Sequence, residues 1–287
     1  MRPLKFIRKH WRCFVFTGLK FELRAWVLVF LTIALSKAGS AQLVLYDNFH
    51  SKQIDPAKWV GWQFFDPDIR EAVRQPVGEE ENRRLRLSYT AYSATTDNSG
   101  GSGGGFGLAF PDPSVVTEVS FTAVVNRAEA VGCTSNPSLI VTDVELRGNF
   151  FNMESSPTSQ IGDVVAVIGI SRTPTDVGGA LTVAGFYSRC DDQFCGSQSP
   201  IDYRVLGSVQ PGAVSTLRIK WDKPNHRFIF QLNGNAEVVS PYTVSDTTPA
   251  VFSYKAIELA RVVPHCTTTP RPFASIDAFF GNVYVNP

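Results

Sequence analysis

From Gln42 onward the chain repeats with a period of two. In "RRLRLSYTAY" Leu85, Leu87 and Tyr89 alternate with polar neighbours, and in "TEVSFTAVVN" Val119, Phe121, Ala123 and Val125 do the same. Successive side chains of a strand point to opposite faces, so each run predicts a strand with one buried face. The clearest unit is "STLRIKWDKPNHRFIFQLNGNAEVV". Leu217, Ile219 and Trp221 lead into the turn "DKPNH", Phe228, Phe230 and Leu232 return, and Asn233-Gly234 predicts a type I′ turn into a third strand. Gly, Pro, Asn and Asp punctuate the runs and no long helical period appears, which together predict an all-β antiparallel sandwich or barrel. Residues 96–107, "TDNSGGSGGGFG", read as a low-complexity surface loop. Strands of the same character flank it, so residues 42–287 read as a single domain.

The first 41 residues break this pattern. Seven basic side chains between Arg2 and Arg24 precede the apolar run "AWVLVFLTIAL", and "AGSAQ" places small residues before a cut after Ala41. That succession predicts a signal peptide over residues 1–41, since the apolar run of about 11 residues falls short of the roughly 20 a membrane span requires. Removing it takes eight of the 27 Lys and Arg and one of the 26 acids, leaving 19 basic against 25 acidic side chains and a net charge of −6. Such a surface, without basic blocks, speaks against nucleic acid as a partner.

Four cysteines remain: Cys133, Cys190, Cys195 and Cys266. An even number in an exported chain predicts two disulfides with three possible pairings. The short loop "RCDDQFC" favours Cys190 with Cys195, which leaves Cys133 with Cys266. Zinc is the rival reading, but the remaining histidines are His50, His226 and His265 and no C-x-x-C pair exists.

Three segments carry a resemblance. "LYDNFHSKQIDPAKW", "IKWDKPNHRFIFQLNG" and "SIDAFFGNVYVN" resemble the first strand, a later hairpin and the terminal strand of concanavalin A-like lectin and glucanase sandwiches. The resemblance implies a jelly-roll sandwich whose last strand lies beside its first, with Trp59 and Trp221 in the core, and the whole is similar to secreted bacterial proteins of that superfamily. It also implies a structural calcium near Asp47 and Asp277; no ligand spacing of its own supports one, and no other cofactor is expected.

Candidate chemistry centres on "IVTDVELRG", residues 140–148. Laminarinase- and lichenase-like hydrolases of the superfamily carry Glu-x-Asp-x-Glu on one strand face, where alternate carboxylates can flank a glycosidic bond. Here the register reads Val141, Asp143, Glu145, and valine cannot attack an anomeric carbon. The expectation is therefore a binding face: Leu139, Val141, Asp143, Glu145 and Arg147 more exposed, with Ile140, Thr142, Val144 and Leu146 inward. Asp143, Glu145 and Arg147 would meet sugar hydroxyls, and Trp62, within the crowded "VGWQFFDPD", would stack on a ring. Gly100-Gly101-Ser102-Gly103-Gly104 satisfies G-x-S-x-G to the letter, yet lies in a glycine run without the strand and helix of a nucleophile elbow. The reading reached is an exported, noncatalytic glycan-binding protein. A glycoside hydrolase or polysaccharide lyase would need a second acid, or a Tyr or His, beside Glu145. A structural or adhesion module would have its groove blocked by side chains such as Phe150 and Phe151.

Overall fold

The computed structural model describes residues 42–64, 70–79, 82–94, 97–136, 141–173, 176, 179–267 and 271–287. The leader expected over residues 1–41, and Phe65, Leu139 and Ile140, lie outside the described residues. Those described form two antiparallel sheets. The first contains β1 (Val44–Asp47), β3 (Arg70–Val77), β4 (Arg84–Tyr92), β6 (Glu118–Val131), β11 (Val214–Asp222), β12 (Arg227–Leu232), β13 (Val238–Pro241) and β16 (Phe273–Val285). Its order is β13-β12-β11-β6-β16-β4-β3, and β1 also pairs with β16. The second contains β2 (Val60–Phe64), β5 (Gly101–Ala109), β7 (Val141–Asn152), β8 (Asp163–Arg172), β9 (Leu181–Cys190), β10 (Gln198–Val209), β14 (Thr248–Pro249) and β15 (Lys255–Pro264). Its order is β10-β9-β8-β7-β15-β5-β2, and β14 pairs with β7.

The core between the sheets is built from the alternating sets read in the sequence. Leu85, Leu87 and Tyr89 of β4 and Val119, Phe121, Ala123 and Val125 of β6 are buried, as are Leu217 and Ile219 of β11 and Phe228, Phe230 and Leu232 of β12. They face Val144 and Leu146 of β7, Ile168 and Ile170 of β8, and Ile257 and Leu259 of β15 in one cluster. Burial of this kind stabilises by about 25 cal/mol per Å² of apolar surface removed from water. Trp59 is buried with its Nε1 donating to Asp47 Oδ2 at 2.7 Å, and the half-buried Trp221 donates to Tyr242 Oη at 2.7 Å. The Asn233-Gly234 turn has φ of 52° and 68°, the two positive values a type I′ turn requires. The terminal strand pairs with the first, as the resemblance implied.

The glycine run departs from expectation. From Gly101 it is β5, an inner strand between β15 and β2, rather than a loop. The physical reason is close approach: a Cβ on Gly107 would stand 2.2 Å from the carbonyl oxygen of Ile257. Glycine composition mimics a flexible linker here while serving tight strand pairing. Both favoured disulfides form, Cys133–Cys266 and Cys190–Cys195. Among the described residues no helix is long and apolar enough to cross a membrane.

Candidate functional site

The outer face of the second sheet carries the site, and strand register assembles it. Reading across the sheet, Trp62 of β2 pairs with Gly107 of β5, Gly107 with Glu258 of β15, Glu258 with Glu145 of β7, and Glu145 with Gly169 of β8. Two glutamates therefore stand directly opposite one another, each with a glycine on its far side. In the adjoining rows Asp143 lies opposite Ser171, and Arg147 opposite Val167. Four positions before Glu258, on the same face, Tyr254 turns its hydroxyl onto the Glu258 carboxyl.

The faces of β7 match expectation, with Val144, Leu146 and Thr142 inward and Asp143, Glu145 and Arg147 outward. Their exposure does not. Glu145 is 4% exposed and Glu258 0%. Arg147 Nη1 stands 3.9 Å from Glu145 Oε1, with the arginine side chain 21% exposed. The outward face is sunken because aromatic rings roof it. Trp62 stacks on Tyr254 with centroids 4.1 Å apart, and Phe252 lies 6.1 Å from each of them. Gly107, between Trp62 and Glu258, offers no side chain to lift the indole.

Burial sets the protonation of this row. Glu258 is raised well above the usual carboxyl range by burial first and by Glu145 second, and Glu145 is raised by burial. One proton between two adjacent carboxyls relieves their mutual repulsion. Asp143 is raised by burial and then by Glu145. Burial pushes Tyr254 up as well, with Glu258 adding to the shift. Arg147 is the exception: burial opposes its charge, but Glu145 and Glu258 outweigh it and hold the guanidinium protonated.

Above the acids opens a cavity of about 170 Å³ lined by Trp62, Arg147, Asn149, Gln160, Phe194, Cys195, Phe252 and Tyr254. Phe194 is 71% exposed at its rim, on the loop closed by Cys190–Cys195. That loop is held rigid by Asp192, whose carboxylate accepts backbone N–H groups from Phe194, Gly196 and Ser197. A larger cavity, about 220 Å³, opens against the first sheet beside His50, Arg84 and Thr122, but its lining holds one phenyl ring, Phe279, and no Trp or Tyr. The acids and the stacked rings therefore mark the smaller one.

Of the expected ligand-binding residues, the structure brings Trp62 and Arg147 into one cavity and places Glu145 beneath it, with Asp143 one row away. Sequence reasoning missed Glu258, Tyr254 and Phe252. The segment "FSYKAIELA" does alternate Tyr254, Ala256, Glu258 and Ala260 against Ile257 and Leu259, which would have put Tyr254 and Glu258 on one face. The expected calcium residues do not converge. Asp47 accepts from Phe49 N and Trp59 Nε1, Asp277 accepts from Arg86 Nε and Asn126 Nδ2, and Asp47 pairs in register with Val283, six positions from Asp277. These two carboxylates, each occupied by protein donors, do not fit a calcium cage. Among the described residues no group of three or more His, Cys, Asp or Glu gathers for a metal.

No family model matches the chain, and no curated protein matches it by sequence. Solved structures match its shape, and they are concanavalin A-like jelly rolls, the fold that the three sequence segments resembled. A glycoside hydrolase family 16 endo-glucanase from Bacteroides ovatus is 9% identical, covering 83% of this chain and 97% of its own, with a TM-score of 0.43. The Bacillus licheniformis beta-glucanase is 10% identical, with 88% and 100% covered and a TM-score of 0.38. The exoplasmic/lumenal domain of VIP36, in a Ca2+/Man3GlcNAc-bound form, is 9% identical, with 74% and 82% covered and a TM-score of 0.34. Likeness at this level carries no activity over to the chain, and the sandwich rests on its own ladders.

Proposed function

We propose that the protein is exported and binds glycan, without cleaving it, in the cavity roofed by Trp62, Phe252 and Tyr254. The observation that carries this is the pairing of ring faces with Arg147, Asn149 and Gln160 in one opening, while both glutamates lie sealed below it. Sugar rings present apolar C–H faces and a rim of hydroxyls, and such a wall meets both. Glu145 and Glu258 act from beneath, holding Arg147 charged and in place. Their burial keeps them from a glycosidic oxygen, which a general acid must approach to within about 3 Å. Phe150 and Phe151, which would block the groove of a purely structural module, are instead buried in the core. Two disulfides favour an oxidising compartment.

Affinity electrophoresis through gels containing neutral and acidic polysaccharides tests the reading. The expected result is retardation by at least one of them, weakened about ten-fold or more in Trp62→Ala and Phe252→Ala, a loss of about 1.4 kcal/mol. Absence of retardation in every gel removes it. One observation favours a second reading, hydrolysis or lysis of the glycan: Glu145 and Glu258 face one another and burial raises both carboxyls, as a general acid requires. Release of new chain ends from a retained polysaccharide, abolished in Glu258→Gln, would put that reading in place of the first.

A further inference from the structure

The glycine run holds a second constellation. Ser102 Oγ lies 3.1 Å from His265 Nε2, and His265 Nδ1 lies 3.2 Å from Asp97 Oδ1. These are the two contacts of a serine nucleophile, its base and the acid that orients the base, an arrangement recognised by geometry and role rather than by order in the chain. We propose that Ser102, His265 and Asp97 form a nucleophilic triad and that the chain hydrolyses carboxylic esters.

The elbow context of G-x-S-x-G is absent, because Ser102 sits within β5 and a strand, not a helix, follows it. Strand pairing supplies what the elbow does elsewhere. Ser102 lies opposite Val263 of β15, so His265, two residues on, is its diagonal neighbour on the same face. Asp97 reaches the imidazole from the turn before β5, where Ser99 N donates to its Oδ1 at 3.0 Å. That backbone N–H, and then His265, hold the Asp97 carboxyl below its usual range, so it stays anionic. The frame around the three is pinned by Asn136, 5% exposed, whose Nδ2 donates to the carbonyls of Gly100 at 2.7 Å and His265 at 3.0 Å. Cys266, next to His265, is bridged to Cys133. Three segments far apart in the chain are thereby fixed at one point, and His265 and Asp97 remain 24% and 49% exposed to a substrate.

With the imidazole proton on Nδ1, held by Asp97, Nε2 accepts the hydroxyl proton of Ser102 as Oγ bonds to the ester carbonyl carbon. The bond to the alcohol oxygen then breaks and the alcohol leaves with the proton from Nε2. Water adds to the acyl-Ser102 carbonyl, gives one proton to Nε2, and the acid departs as Ser102 recovers its hydrogen.

The test uses the purified chain with p-nitrophenyl acetate, and separately a fluorophosphonate whose attachment point is read by peptide mass. Turnover is expected to fall about 100-fold or more in Ser102→Ala and His265→Ala, with a comparable loss in Asp97→Asn because the tautomer is no longer held. The fluorophosphonate is expected on Ser102 of the unaltered chain and to be lost in His265→Ala. Turnover retained in Ser102→Ala, or an unaltered chain that takes no label at Ser102, overturns the proposal; the second readout needs no variant to fold.

Discussion

Two buried charges of opposite sign give this chain opposing responses to pH. Lys255 is 4% exposed, with Nζ donating to Pro113 O at 2.6 Å and lying 4.8 Å from the Phe150 ring centre. Burial lowers it from 10.5 to about 8. A base depressed in the folded state costs stability in full below about pH 8, where both states are charged. The cost fades between about 8 and 10.5, as the folded chain alone has released the proton. Glu258 is raised instead, so folding is favoured fully below the unfolded value of 4.5 and less as pH climbs through the folded one. Urea unfolding across pH should therefore separate two variants. Lys255→Met gains up to about 3 kcal/mol near neutrality and loses the gain by about pH 10. Glu258→Gln matches the unaltered chain in acid and overtakes it as pH rises. Parallel curves for either variant would show that the group titrates alike in the folded and unfolded chains.

At the scale of the element, β5 is the strand on which most depends. Its glycines let β15 come close, and β15 brings Glu258 to Glu145 and His265 to Ser102. Gly107→Ala places a methyl group where the Ile257 carbonyl and Glu258 already stand, so β15 must shift. A loss of about 2–3 kcal/mol is expected from chemical denaturation, with altered Trp62 fluorescence as the row beneath it opens. Legibility divides along the same line. Where alternation was regular, as in Leu85, Leu87 and Tyr89 or in the hairpin through Asn233-Gly234, local pattern sufficed for face and turn. β5 reads as a loop because its sequence has almost no side chains to alternate. Glu258 was passed over because its meeting with Glu145 depends on a register between strands more than a hundred residues apart, for which neither strand carries a local signal. Alternation puts Asp143 and Glu145 on the outer face but carries no sign of their burial, since the roof of Trp62, Phe252 and Tyr254 comes from two other segments.

For the whole molecule, the two disulfides should differ in weight. Cys133–Cys266 spans 133 positions and Cys190–Cys195 only 5. Closing the longer loop removes far more freedom from the unfolded chain, about 4–5 kcal/mol by loop entropy. Paired Cys133→Ser and Cys266→Ser changes should lower the denaturation midpoint much more than Cys190→Ser with Cys195→Ser, as read by thermal unfolding; equal shifts would mean that loop length is not what matters. The connectivity of the first sheet sets a further condition. Among the described strands, β6 is joined to β4 through β16, and β1 has β16 as its partner. Until β16 has been made, that layer has a gap at its middle and β1 has no strand to pair with. The opening strand therefore stays without its neighbour until residues more than two hundred positions further on have been synthesised.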